Sequence, residues 1–256
     1  MISAPPIPAS ARCSLFLDID GTLLDFAPTP DEVRVDEPLR ELLRNLDREC
    51  DGAIAFVSGR AIVDIDDLFE PLYLAAAGVH GCERRDATGH WRREIRNSSS
   101  LGELRERLAD QLQPLDGILL EDKGCALAIH FRRVPQLEAP LRGALAPLGS
   151  LMPAEFEILE GNHVIEIKPR GHDKATAIEA FMKEAPFAGR MPVFIGPALS
   201  GQGCTEAAHL GRDAFAAVHR MNGLAIGVGE NCATTWRLPN PSEVRRWLET
   251  YLLRGR

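Results

Sequence analysis

Two aspartates two residues apart, Asp18 and Asp20, follow the apolar run Leu15-Phe16-Leu17 and lead directly into Gly21-Thr22. On extended chain, residues i and i+2 project to one side. Two carboxylates held that way can bind one Mg²⁺ and act on one substrate atom. One can attack phosphorus and form an aspartyl-phosphate. The other can protonate the leaving oxygen and then activate water. Gly21 permits a tight turn, and Thr22 adds a hydroxyl. A solvated turn or a helix N-cap would explain a lone Asp, but a fully apolar run ending in two of them argues for chemistry.

Two further features fit the same purpose. Ser58-Gly59-Arg60 closes the apolar run Ala53–Val57. A hydroxyl and backbone N–H groups at a helix start suit a phosphate oxygen, although Ser before a helix also serves as a simple N-cap. Lys174 opens the expected helix KATAIEAFMKEA. A lysine there opposes the helix dipole. Its place makes sense if it neutralises a phosphate and a nucleophilic carboxylate, and an exposed surface lysine is the alternative.

These residues need elements that bring them to one edge. Leu15–Leu17, Ala53–Val57, Tyr73–Ala76 and Val193–Ile195 read as short buried strands. Between the first two, DEPLRELLRNLDREC has helical apolar spacing, with Asp36 as N-cap and Pro38 in the first turn. Continuous apolar strands alternating with helices predict a parallel sheet covered on both faces. In such a sheet, ligands bind at the carboxyl ends of the strands.

The rhythm changes after Asn97-Ser98-Ser99-Ser100. A charged helix, LGELRERLADQL, precedes the strand-like runs GILLEDK and CALAIHFR, a helix after Pro135, and the runs EFEILEG and HVIEIKP. Gly161-Asn162 between the last two is a hairpin signal. From Asp173 the strand–helix rhythm resumes and closes with a helix after Pro241. The expected organisation is α/β: a Rossmann-like parallel-sheet core from residues 1–100 and 172–256, with an inserted α+β cap at 101–171.

Composition narrows the partners. The 256 residues are 45% hydrophobic and 26% charged, with formal net charge −8. No global basic footprint for nucleic acid exists, so an anion needs a local positive pocket. No apolar run approaches a membrane span, and the opening MISAPPIPASARC lacks a signal-peptide core. The six cysteines form no CxxC pair, which fits free thiols in a reducing cytoplasm. A monomer or weak oligomer acting on a small molecule is expected.

Together, the Asp18/Asp20, Ser58 and Lys174 motifs resemble the haloacid dehalogenase superfamily of phosphohydrolases. Longer blocks carry a closer resemblance: FLDIDGTLLDFAPTPDEV, VSGR, AAAGVHGCERR, LEDKGCALAIHFR, LEGNHVIEIKPRGHDK and TTWRLPNPSEVRRWL. In that order they look like the trehalose-6-phosphate phosphatases. The resemblance implies Mg²⁺-dependent hydrolysis of trehalose 6-phosphate. Asp18 would be the nucleophile and Asp20 the general acid/base. The Asp18 carboxylate and the Asp20 main-chain carbonyl would hold the metal, and Ser58, Gly59 and Lys174 would hold the phosphate. Sugar recognition would fall to cap residues among Glu121, Lys123, His130, Arg132, Glu166 and Lys168. Lys123 and Glu166 are favoured there, with Arg60 and His80 on the core side.

One block departs from the family's pattern. Acids normally follow the strand matching PVFIG and complete the magnesium site, but here Pro197-Ala198 stand there. Glu206 and Asp213 are the remaining candidates for a third ligand. Three accounts stand side by side: an impaired relative that still binds sugar phosphate, a substitute acid from the longer loop, or a local reading-frame error. A phosphatase for another sugar phosphate is a further alternative.

Overall fold

The computed structural model describes residues 4–27, 29, 32–93, 99–147, 152–161, 163–197, 212–229 and 234–254. In chain order the elements are β1 (Cys13–Leu17), α1 (Glu37–Glu49), β2 (Ile54–Val57), α2 (Ile62–Phe69), β3 (Ala75–Gly78), β4 (Glu83–Arg85) and β5 (Trp91–Arg93). Then come α3 (Ser99–Leu112), β6 (Leu119–Asp122), β7 (Leu127–His130), α4 (Glu138–Leu145), β8 (Phe156–Gly161) and β9 (Val164–Pro169). The chain continues with α5 (Lys174–Phe181), β10 (Met191–Pro197), α6 (Arg212–Arg220), β11 (Leu224–Val228), β12 (Trp236–Leu238) and α7 (Pro241–Arg254).

The chain divides into two compact units. The first comprises Met1–Phe26, Val33–Arg92 and His172–Arg256, and the second Ala27–Glu32 and Arg93–Gly171.

The first unit is an α/β core on a sheet ordered β12-β11-β10-β1-β2-β3-β4-β5. From β12 to β3 every pairing is parallel, and β4 then runs antiparallel to β3. The central parallel strands are nearly all apolar because both faces are covered, and every residue of β1 and β2 is buried. Phe16 of β1 packs against Phe187 and Phe181, with ring centroids 5.6 and 5.9 Å away, which seats α5 under the central strand. The chain leaves β1 toward β2 and returns on its other side as β10. The strand order therefore reverses at β1, where such sheets place their ligands.

The third strand lies two residues later than the spacing predicts. Ala75, Ala76 and Ala77 pair with Ala55, Phe56 and Val57, while Tyr73 stays 59% exposed. The edge strands β5 and β12, and β4 beside β5, have three residues each and carry arginines, so no alternation reveals them. β5 is exposed along its whole length.

Asp36 is the N-cap of α1, as its spacing predicts. Its Oδ1 accepts the Leu39 N–H at 3.0 Å, and both carboxylate oxygens accept from Arg245. Slight burial works against the charge, but these donors win and hold its carboxyl below the usual range. Asp36→Ala should lower stability by about 1 kcal/mol at pH 7, measured by urea unfolding. With a depressed folded-state pKa, the contribution is present above the unfolded value and lost as pH falls through the folded one. The gap between wild type and variant should therefore close at acid pH.

The second unit is a four-stranded antiparallel sheet, ordered β6-β7-β9-β8. The β8–β9 hairpin closes on the pair Gly161–Val164, and Asn162 lies outside the described residues. Leu127, Ile129, Ile165 and Ile167 join Leu104, Leu108 and Leu141 of α3 and α4 in one apolar core.

Candidate active site

The site is built where β1 ends. The Asp18 N–H donates to the Ile195 carbonyl at 2.9 Å, which continues the β1–β10 ladder one step past the strand. Asp18 is 3% exposed. Its Oδ1 accepts the Ile19 N–H at 2.8 Å, and its Oδ2 accepts from Lys174 Nζ at 2.5 Å. Burial raises the Asp18 carboxyl above the ordinary aspartate range, with the Lys174 ammonium and the Ile19 N–H pulling the other way.

Lys174 is the first residue of α5, and a capping box fixes that start. Asp173 accepts the Thr176 N–H at 2.6 Å, and Thr176 Oγ1 accepts the Asp173 N–H at 3.0 Å. The lysine is buried against Asp18, so the surface-lysine alternative is excluded.

The turn after Asp18 closes tightly. Gly21 adopts φ +73° and donates its N–H to the Leu24 carbonyl at 2.7 Å. A Cβ at Gly21 would lie 2.5 Å from the Phe26 ring. The Thr22 hydroxyl is buried without a hydrogen-bond partner among the described residues. Asp20 does not share the lysine. Both of its oxygens are forked by Arg60, Nε to Oδ2 at 2.8 Å and Nη2 to Oδ1 at 2.7 Å.

Ser58, Gly59 and Arg60 follow β2 but do not start α2. The helix begins at Ile62, and its N-cap, Ala61, makes no side-chain cap. The placement at a helix start expected from the sequence is thereby corrected, and Ser58 is not a capping residue. Ser58 is 1% exposed; its N–H donates to Ala77 at 2.9 Å, and its hydroxyl accepts the Arg60 N–H at 3.2 Å. The helix start is held from elsewhere: buried Glu83 of β4 accepts the Ile62 N–H at 2.9 Å. Sequence reasoning missed Glu83 because its strand is three residues long.

The turn after β3 braces this loop. Val79, His80 and Gly81 all have positive φ, at 45°, 55° and 101°. The His80 N–H donates to the Ser58 carbonyl at 3.0 Å, and the Val79 N–H to the Arg60 carbonyl at 2.8 Å. His80 is 5% exposed, and a Cβ on Gly59 would stand 2.8 Å from its Nε2. The only signals in the sequence are the flanking glycines Gly78 and Gly81.

On the other side of β1, β10 ends in buried Pro197, which brings no carboxylate. Glu206 and Ala198 lie outside the described residues, and Asp213 lies in α6 without a described side chain. Among the described residues no three His, Cys, Asp or Glu side chains gather as a metal cluster. Asp18 and Asp20 still offer hard oxygen ligands. Mg²⁺ commonly takes one or two carboxylates, substrate phosphate oxygens and several waters, so the donor set fits that ion.

In the second unit, the sheet face away from α3 and α4 is charged. Lys123 Nζ meets Glu166 Oε1 at 2.6 Å, Lys168 Nζ meets Glu157 at 2.5 Å, and His130 Nε2 meets Glu121 Oε2 at 2.6 Å. The register aligns Glu121, Ala128 and Glu166 across three strands. Burial would raise the Glu121 carboxyl, but His130 and Lys123 overcome it and hold it below its usual range. Arg132 follows β7, outside this row, and is half-buried.

Comparison with known proteins adds to this geometry. A family model described as trehalose-phosphatase matches residues 16–202. The chain is 37% identical over 241 residues to the trehalose-6-phosphate phosphatase of Escherichia coli K12, covering 94% of this chain and 86% of that protein. It is also 37% identical to a probable trehalose-phosphate phosphatase of Sinorhizobium fredii, over 84% of this chain and 77% of that one. The solved C-terminal domain of a C. albicans trehalose-6-phosphate phosphatase superimposes with TM-score 0.79 over 98% of this chain and 99% of that one, at 18% identity.

Proposed function

The chain belongs to the trehalose-phosphatase family, and we propose that it hydrolyses trehalose 6-phosphate in the cytoplasm with Mg²⁺, through an aspartyl-phosphate on Asp18. The observation that supports this most is the buried Asp18–Lys174 pair at the strand-order reversal, with Asp20 two residues on.

Each residue has a task that its surroundings allow. An Asp18 carboxylate oxygen attacks phosphorus, and the bond to the sugar oxygen breaks. Asp20 gives that oxygen a proton, then takes one from the water that attacks the aspartyl-phosphate and frees inorganic phosphate. Lys174 offsets negative charge on Asp18 and on the transferring phosphoryl group. The Ser58 oxygen already accepts the Arg60 N–H, so its own proton is available to a phosphate oxygen. The Asp18 carboxylate and the Asp20 main-chain carbonyl would hold Mg²⁺, which when bound lowers the repulsion between nucleophile and phosphate.

Purified protein should release phosphate from trehalose 6-phosphate with Mg²⁺ and stop in EDTA. Equal rates on unrelated sugar phosphates would remove the substrate assignment. The charged face of the cap sheet is assigned to the sugar, with Lys123 and Glu166 in direct contact. Glu166→Ala should then lower kcat/KM for trehalose 6-phosphate by about 10²-fold and leave hydrolysis of p-nitrophenyl phosphate nearly unchanged. Equal loss on both esters would take Glu166 out of recognition.

Pro197 favours a second reading, a catalytically impaired relative that still binds sugar phosphate. The family match also ends at residue 202, inside the divergent block. Tight binding of trehalose 6-phosphate without turnover would support it, and multiple turnovers would eliminate it.

A further inference from the structure

We infer that Arg60 is a positioning residue that fixes the Asp20 carboxylate, footed on the left-handed turn Val79–Gly81. The fork is two-pronged, at 2.7 and 2.8 Å, and the Arg60 side chain is 11% exposed. Such a pair fixes orientation as well as charge. Each carboxylate oxygen has two acceptor positions, and the fork uses one on each. The others are left for a leaving oxygen or a water, and the Asp20 side chain is 28% exposed.

The backbone beneath the guanidinium is pinned at both ends. The Arg60 N–H donates to Ser58 Oγ, and the Arg60 carbonyl accepts from Val79 at 2.8 Å. Gly78 lets the strands close up, since a Cβ there would sit 2.8 Å from that carbonyl. Two successive non-glycine residues at positive φ, one of them β-branched, persist only where the surroundings over-determine them. The line of contacts runs from this turn through the Arg60 backbone to the Asp20 carboxylate.

The inference rests on Asp20 as the acid/base of the proposed reaction. The test compares trehalose 6-phosphate with p-nitrophenyl phosphate, whose leaving group needs no proton. Wild type, Asp20→Asn, Arg60→Ala, Arg60→Lys and the Asp20→Asn/Arg60→Ala double variant are measured on both esters. Arg60→Ala should cost about 10²-fold in kcat on the sugar ester and less than about tenfold on the aryl ester, with KM on the sugar ester moving less than about threefold. Arg60→Lys keeps the charge without the fork and should fall nearer to alanine than to wild type. Added methylguanidine should restore part of the Arg60→Ala loss. In the Asp20→Asn background, Arg60→Ala should add less than about threefold.

A raised KM with unchanged kcat would overturn the inference in favour of a substrate contact, and so would full additivity with Asp20→Asn. If Arg60→Ala does not fold, Arg60→Lys carries the comparison, and wild-type kcat in that variant overturns the inference. A costly Asp20→Asn beside silent Arg60 variants overturns this inference alone. A silent Asp20→Asn, or a wild type that turns over neither ester, overturns the acid/base reading and this inference together.

Discussion

Asp18→Asn is expected to lower phosphate release from trehalose 6-phosphate by more than about 10³-fold in kcat. The amide has the shape of the carboxylate but neither its charge nor its nucleophilic oxygen. Its oxygen can still accept from Ile19 or from Lys174, which meet Asp18 at 2.8 and 2.5 Å, so the fold should survive. The measurement pairs inorganic phosphate release with a thermal unfolding scan on the same sample. A variant that folds and keeps a tenth of wild-type turnover would rule out Asp18 as nucleophile. Binding of the intact ester should persist, because Lys174 would no longer be offset by a carboxylate.

Lys174→Met should be the second most damaging change, and it should act on stability and turnover together. The two side chains are 7% and 5% exposed. Removing one partner of a buried pair leaves the other charge without compensation, at about 3 kcal/mol. Burial already drives the Asp18 carboxyl toward its neutral form, and the lost ammonium is the main force opposing that. Turnover should drop by about 10²-fold or more through the lost positive charge at the phosphoryl group. Denaturant unfolding of Asp18→Asn, Lys174→Met and the double variant forms a cycle. The double variant should be less unstable than the two losses added together, because it leaves no lone charge. Simple additivity would mean that the 2.5 Å contact contributes little.

The central strands were legible because burial on both faces makes β1, β2 and β10 continuous apolar runs, each ended by a polar or small residue. The same ends carry Asp18 and Ser58, so a parallel sheet brings them to one edge once its order is known. Lys174 was legible through its unfavourable place against a helix dipole. Other features left weaker marks. The Asp20–Arg60 fork joins residues 40 apart in the chain, and no local spacing predicts which of two carboxylates an arginine will choose. Val79 is β-branched and a poor former of left-handed backbone, so only the neighbouring glycines hint at the turn. Tyr73 looked like a strand residue on propensity, but pairing with β2 is set by the small alanines that follow. Glu83 drew no reading from the sequence, yet it is wholly buried and takes the Ile62 N–H at the start of α2, where the N-cap supplies no side chain.

The short outer strands have a consequence for solubility. Among the described residues the sheet is eight strands wide, yet it ends in Trp91-Arg92-Arg93 on one side and Trp236-Arg237-Leu238 on the other. A foreign strand laid along either edge would find few main-chain groups to pair with and an arginine to desolvate. The long central strands that create the site, β1, β10 and β11, are the ones most able to template aggregation, and all are shielded by neighbours on both sides. The layout that puts the chemistry at mid-sheet also keeps its most adhesive segments out of reach of other chains.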